Sequence, residues 1–204
     1  MNQIHQRKAG FTLVELLVSL FLFVTVMTVS TGALLSVIHA NKKAQAIQTA
    51  VTNLHSAIDG MLRSVRMGTY YHCGDTGVLT EPLDCADGSN ALVFRQYGWP
   101  KNSYRMYYFD RNSDGLGGIY RLDVDENKRE ISNVQITAPE VNIQEFKVFV
   151  RGSDINDKNQ PVVTFIIKGE VGGVNNELSI FGLKKKLKTD FMIQSAATQR
   201  LIDL

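Results

Sequence analysis

The feature that most constrains this chain is the run from Phe11 to Ile38. It holds one charged residue, Glu15, among Leu, Val, Phe, Ile, Met and Ala, with scattered Ser and Thr that can bond back to helix carbonyls. Its 28 residues make about 42 Å of helix, more than the ~30 Å bilayer core requires. A polar leader carrying Arg7 and Lys8 precedes it. Basic residues before an apolar run place the N-terminus in the cytoplasm and everything after Ile38 outside it. A secretory signal peptide shares this order, and Ser30-Thr31-Gly32-Ala33 offers it a cleavage site. Its apolar core, however, is usually only ~7–15 residues long. Glu15 is the awkward residue, because a lone carboxylate in lipid costs a few kcal/mol and by default marks function.

Gly10-Phe11-Thr12-Leu13-Val14-Glu15 resembles the processing site of the type IV pilin and type II secretion pseudopilin superfamily. The resemblance implies cleavage after Gly10 by a prepilin peptidase and methylation of the new amine at Phe11. Glu15 becomes the fifth residue of the mature chain. It also implies other pilin or pseudopilin subunits as partners, an inner-membrane assembly platform, and lipid around the helix before assembly. An ammonium on Phe11 of one subunit would neutralise Glu15 of its neighbour, so two charges that are costly in lipid become tolerable only in a filament.

Removal of a leader ending at Gly10 would take Arg7 and Lys8 and leave 20 basic against 20 acidic residues. That balance gives no global attraction for nucleic acid, which is not expected as a partner. The only cysteines, Cys73 and Cys85, fall outside the cytoplasm on this topology, where disulfides persist.

The helix is expected to continue past Ile38. Ala44, Ile47, Val51, Leu54, Ile58, Met61 and Val65 alternate in steps of three and four, one apolar stripe, and no Pro interrupts Phe11 to Arg66. Packing on a sheet is favoured over a coiled coil, since the stripe is short and Ala44 is a weak seam residue. Many pilins have a Pro near the position of Gly32; Gly there would permit bending, and a close helix contact explains it equally. Gly68 ends the helical pattern. Thr69 to Asn90 reads as one long loop, either closed by a Cys73–Cys85 bridge or, alternatively, a metal site with His72 as a third ligand and no CxxC. Period-two strands follow at Ala91–Tyr97, Ser103–Phe109, Ile119–Leu122, Ile143–Val150, Val162–Ile167, Glu177–Phe181 and Phe191–Ile193. The order Tyr104–Phe109, Gly118–Leu122, Ile131–Val134, Phe146–Val148 loosely resembles larger minor pilins and J-type pseudopilins.

The expected fold is α+β and pilin-like: a long N-terminal helix, membrane-spanning first and amphipathic second, packed on a mainly antiparallel β-sheet head. The expected segments are 1–10 leader, 11–38 membrane and filament helix, 39–67 amphipathic helix, and 68–204 head. Asp110, Asn112 and Asp114 before Gly115 resemble the start of a calcium loop, but the closing position is Arg121, and a plain hairpin turn is expected. Lys184, Lys185, Lys186 and Lys188 form the one basic run, read as a solvated turn or a contact with anionic head groups. His5, His39, His55 and His72 are far apart, and no catalytic arrangement, metal site or cofactor is expected.

The reading is a minor pilin or pseudopilin in the bacterial inner membrane, single-pass, passing into a periplasmic or surface filament. The large head and long loops favour an initiating or tip-near subunit. The alternatives are a type II secretion pseudopilin acting in protein export, an unprocessed single-span anchored binding protein, and a secreted domain cut after Ala33.

Overall fold

The computed structural model describes residues 10–154, 159–171, 177–180, 183–186 and 189–200, with backbone alone for 177–180 and 183–186. The chain divides into two compact units, Met1–Gln45 and Ala46–Leu204. One helix, α1 (Leu13–Arg66), belongs to both. Eleven strands follow it: β1 (Gly68–Cys73), β2 (Cys85–Ser89), β3 (Ala91–Gln96), β4 (Tyr104–Arg111), β5 (Gly117–Val124), β6 (Glu130–Gln135), β7 (Val141–Arg151), β8 (Val162–Val171), β9 (Glu177–Ile180), β10 (Leu183–Lys186) and β11 (Thr189–Thr198).

In the first unit α1 is apolar and bare. Phe11 is 83% exposed and every large apolar residue from Leu13 to Ile38 is exposed. Four of its hydroxyls bond back to its own backbone: Ser19 donates to the Leu16 carbonyl (3.0 Å), Thr28 to Val24 (2.8 Å) and Thr31 to Met27 (2.8 Å). Thr25 lies at 2.8 Å from the Leu22 carbonyl and 3.0 Å from that of Phe21. A polar group satisfied within its own helix removes most of its objection to lipid.

In the second unit the helix buries Ala50, Leu54, Ile58, Met61 and Val65. Spacings of four, four, three and four keep these residues on one face of a 3.6-residue turn. The expected stripe therefore holds from Leu54 onward. At its start Ala50 takes the buried place in preference to Val51, and Ala44 is exposed. These residues pack on sheets rather than on a second helix. Tyr71, Leu92, Phe94, Tyr107 and Ile119 come from one sheet, and Ile143, Phe146, Val148, Phe165 and Ile167 from the other. Burying each such side chain is worth roughly 1.5–3 kcal/mol relative to exposure.

The first sheet has the order β1-β3-β4-β5-β6 and the second β11-β8-β7-β2, with β9-β10 a separate pair. Every pairing between named strands is antiparallel. In β7 the buried positions are Val141 and Ile143, then Phe146, Val148 and Val150. They switch from odd to even across a bulge between Ile143 and Glu145. The extra residue restores the inward face that a strict alternation would have lost. The sheets approach each other at Gly117, where an added Cβ would overlap the Ile143 carbonyl oxygen. Beside it the Gly117 N–H donates to Asn142 Oδ1 (2.9 Å), and Asn142 Nδ2 donates to Glu170 (2.9 Å).

Three expectations change. Residues 69–90 are not one loop, because β1 and β2 occupy its ends and leave residues 74–84 between them. The head is built on more than one sheet, since the second half of the chain pairs separately from β3–β6. Lys184, Lys185 and Lys186 lie in β10, paired across to Ser179, Leu178 and Glu177, rather than in a turn. Lys188, Phe181 and residues 1–9, with Arg7, Lys8 and His5, fall outside the described residues.

Candidate processing and assembly site

Gly10 and Phe11 precede the helix in an open, exposed segment, and an added Cβ at Gly10 would meet nothing within 4 Å. The helix begins with a cap that the sequence reading did not single out. Thr12 accepts the Glu15 N–H on Oγ1 (3.3 Å), and its carbonyl accepts the Leu16 N–H (3.2 Å). Thr12 is therefore the N-cap and Glu15 the third helical residue, the spacing of a capping box. The signal was available as Thr-x-x-Glu ahead of an apolar run. It gives Glu15 a local reason to exist: a carboxylate in the first turn faces the positive end of the helix dipole, a gain of about 0.3–1 kcal/mol. Among the described residues no basic side chain forms an ion pair with Glu15.

At its far end α1 is tied to the first sheet by polar bonds. Ser64 Oγ accepts from Gln96 Nε2 (2.7 Å) and Arg105 Nη1 (2.7 Å). Arg105 also grips Asp123 with both forks, Nε to Oδ1 at 2.6 Å and Nη2 to Oδ2 at 2.9 Å. Burial pulls the Arg105 guanidinium down, but Asp123 outweighs it and raises it above the ordinary value. The Tyr71 hydroxyl is shared between the carbonyls of Val65 (2.6 Å) and Gly68 (2.8 Å), which closes the helix end. Burial pushes its phenol well up, so it remains a donor.

Cys73 and Cys85 are joined, with Cα atoms 5.8 Å apart. Cys73 ends β1 of the first sheet and Cys85 begins β2 of the second, so the bond staples two sheets rather than the base of one loop. His72 is buried with Nδ1 against the Glu81 carbonyl (2.9 Å) and Nε2 against that of Thr76 (2.8 Å). The thiols are bonded to each other and both ring nitrogens are engaged, so the metal-site alternative does not describe this arrangement. Asp84 receives the N–H groups of Gly152 and Ser153, each at 2.9 Å, and so anchors the start of β2 beside the end of β7.

Asp110 lies in β4, paired with Gly118, and Asn112, Asp114 and Gly115 fall in the turn between β4 and β5. Asn112 Oδ1 accepts the N–H groups of Asp114 (3.0 Å) and Leu116 (2.9 Å), as short polar side chains do in turns.

The model of the prokaryotic N-terminal methylation motif matches residues 5–31. The chain thus carries the signature of type IV pilins and pseudopilins. The helix, its apolar first half and the antiparallel sheets it packs on form a pilin-like α+β layout. The motif implies assembly with other pilin subunits and processing by prepilin peptidase. Comparison with curated proteins and with solved structures finds no match.

Proposed function

We propose that this chain is a minor pilin or pseudopilin, a structural subunit and not an enzyme. It is cut after Gly10, methylated at Phe11, and assembled through the apolar part of α1. The observation that carries the reading is the conjunction of the methylation motif with a helix whose apolar first unit buries nothing of its own. The 18 exposed large apolar residues from Phe11 to Ile38 require lipid or other such helices. Before assembly the chain sits in the inner membrane with its head outside the cytoplasm, bound to the assembly platform. A place at the tip or in initiation is favoured by the size of the head, and export through a type II secretion filament is the competing role. The segments proposed are 1–10 as leader, 11–38 as filament core, 39–67 as amphipathic helix and 68–204 as head.

Glu15 is the assembly charge, neutralised by the Phe11 amine of a neighbour. The cap bond at residue 15 uses the backbone N–H, so Glu15→Val removes the charge and keeps the cap. Incorporation of Glu15→Val into sheared filaments is expected to fall at least tenfold while its membrane level is unchanged. Undiminished incorporation contradicts the charge pairing.

A further inference from the structure

Where α1 ends beside β8 and β11 there is an open cleft of about 470 Å³ lined by Arg66, Gln160, Ala196, Thr198, Gln199 and Arg200. Its frame is backbone. The Arg200 N–H donates to the Arg66 carbonyl (2.8 Å), and the Gln199 N–H to that of Pro161 (3.0 Å). The Gln160 side-chain amide donates to the Gln199 carbonyl. These bonds bring two arginines, far apart in sequence, to one cleft, with no acidic residue in its lining among the described residues. Among the described residues neither arginine takes part in an ion pair.

We propose that this cleft binds a small oxyanion of the phosphate or carboxylate class. Arg66 and Arg200 are the charged donors, and Gln160 and Thr198 are neutral hydrogen-bonding groups at its wall. Both arginines are exposed at the cleft, and the forked N–H geometry of a guanidinium matches oxyanions. The volume falls in the ~300–1,000 Å³ range of small-ligand sites. The end of α1 opposes an anion, but only with about half a negative charge against two full positive ones. One of its terminal carbonyls, that of Arg66, is already taken by the Arg200 N–H. The site lies wholly in the second unit and does not depend on the filament role.

The test uses the full chain in uncharged detergent micelles. Arginine side-chain NMR signals are followed while sodium phosphate, sodium succinate or sodium chloride is added at constant ionic strength. Phosphate, succinate or both are expected to give saturable shifts, and the tighter of the two identifies the anion class. Binding should weaken at least tenfold in Arg66→Gln and in Arg200→Gln and stay unchanged in Arg63→Gln, an exposed arginine of the same last turn. Should a Gln variant lose its fold, Arg66→Lys and Arg200→Lys keep the charge and remove the fork. Weakening in these supports the site, and unchanged binding in them overturns it. An equal response to chloride, or parent-like binding by the Gln variants, also overturns it.

Discussion

Glu15 and Asp84 show how one residue type acquires different roles from its surroundings. Glu15 is an exposed carboxylate in the first turn of an apolar helix, capped by Thr12 and left without an ion-pair partner among the described residues. Asp84 is also exposed, but two backbone N–H groups from the end of β7 converge on it. Burial pushes the Asp84 carboxyl up; the bonds from the Ser153 hydroxyl and the Ser153 and Gly152 N–H groups outweigh that and hold it below the ordinary value. A carboxyl depressed in the folded state adds stability above its unfolded pKa of ~3.9 and loses it as pH falls through the lower folded value. Because Asp84 is solvent-screened, the contribution is about 1 kcal/mol at neutral pH. Urea unfolding of Asp84→Ala in micelles is expected to show that loss at pH 7 and a shrinking one as pH falls below about 4.

At the scale of elements, glycines separate strain from slack. Gly60 lies in α1 with open space around its missing Cβ, whereas at Gly117 a Cβ would strike the Ile143 carbonyl oxygen and the Phe109 ring. Gly60→Ala is expected to stabilise the chain by about 1 kcal/mol through helix propensity. Gly117→Ala is expected to destabilise it by about 3 kcal/mol, since backbone must move to admit the methyl. Opposite shifts in the urea midpoint check both. The same elements show what was legible. The stripe through Leu54, Ile58, Met61 and Val65 announced the buried face of α1, and β3, β4, β7 and β8 announced themselves through Val, Phe, Tyr and Ile at period two. β1 did not, because Tyr70 sits at a positive φ of 56° and a bulge breaks its alternation. β2 carries Asp87 and Gly88, poor strand formers that are held by pairing with β7. β6 is exposed almost throughout, so burial left no pattern to read. At the candidate site, Gly10, Phe11 and Glu15 were visible from a motif. The Thr12 cap was written in the sequence but overshadowed by that motif. The Arg66–Arg200 cleft was not legible, because only the fold brings residues so distant in sequence together.

For the whole molecule, the Cys73–Cys85 bond has a larger consequence than its spacing of 12 residues suggests, because it joins the five-stranded to the four-stranded sheet. Replacing both cysteines with Ser should cost about 3 kcal/mol by the chain-entropy model. Hydrogen exchange should quicken most in β1 and β2, the two strands the bond links. The central claim concerns the other end of the chain, where a methylation motif meets an apolar helix with nothing of its own to bury. The direct measurement is the intact mass and N-terminal sequence of the protein from cells with and without prepilin peptidase. A chain beginning at Phe11 and heavier by one methyl group is expected when the peptidase is present, and a chain retaining its leader when it is absent. A mature chain that keeps Met1 in peptidase-positive cells, or one that begins near Leu34, would contradict it.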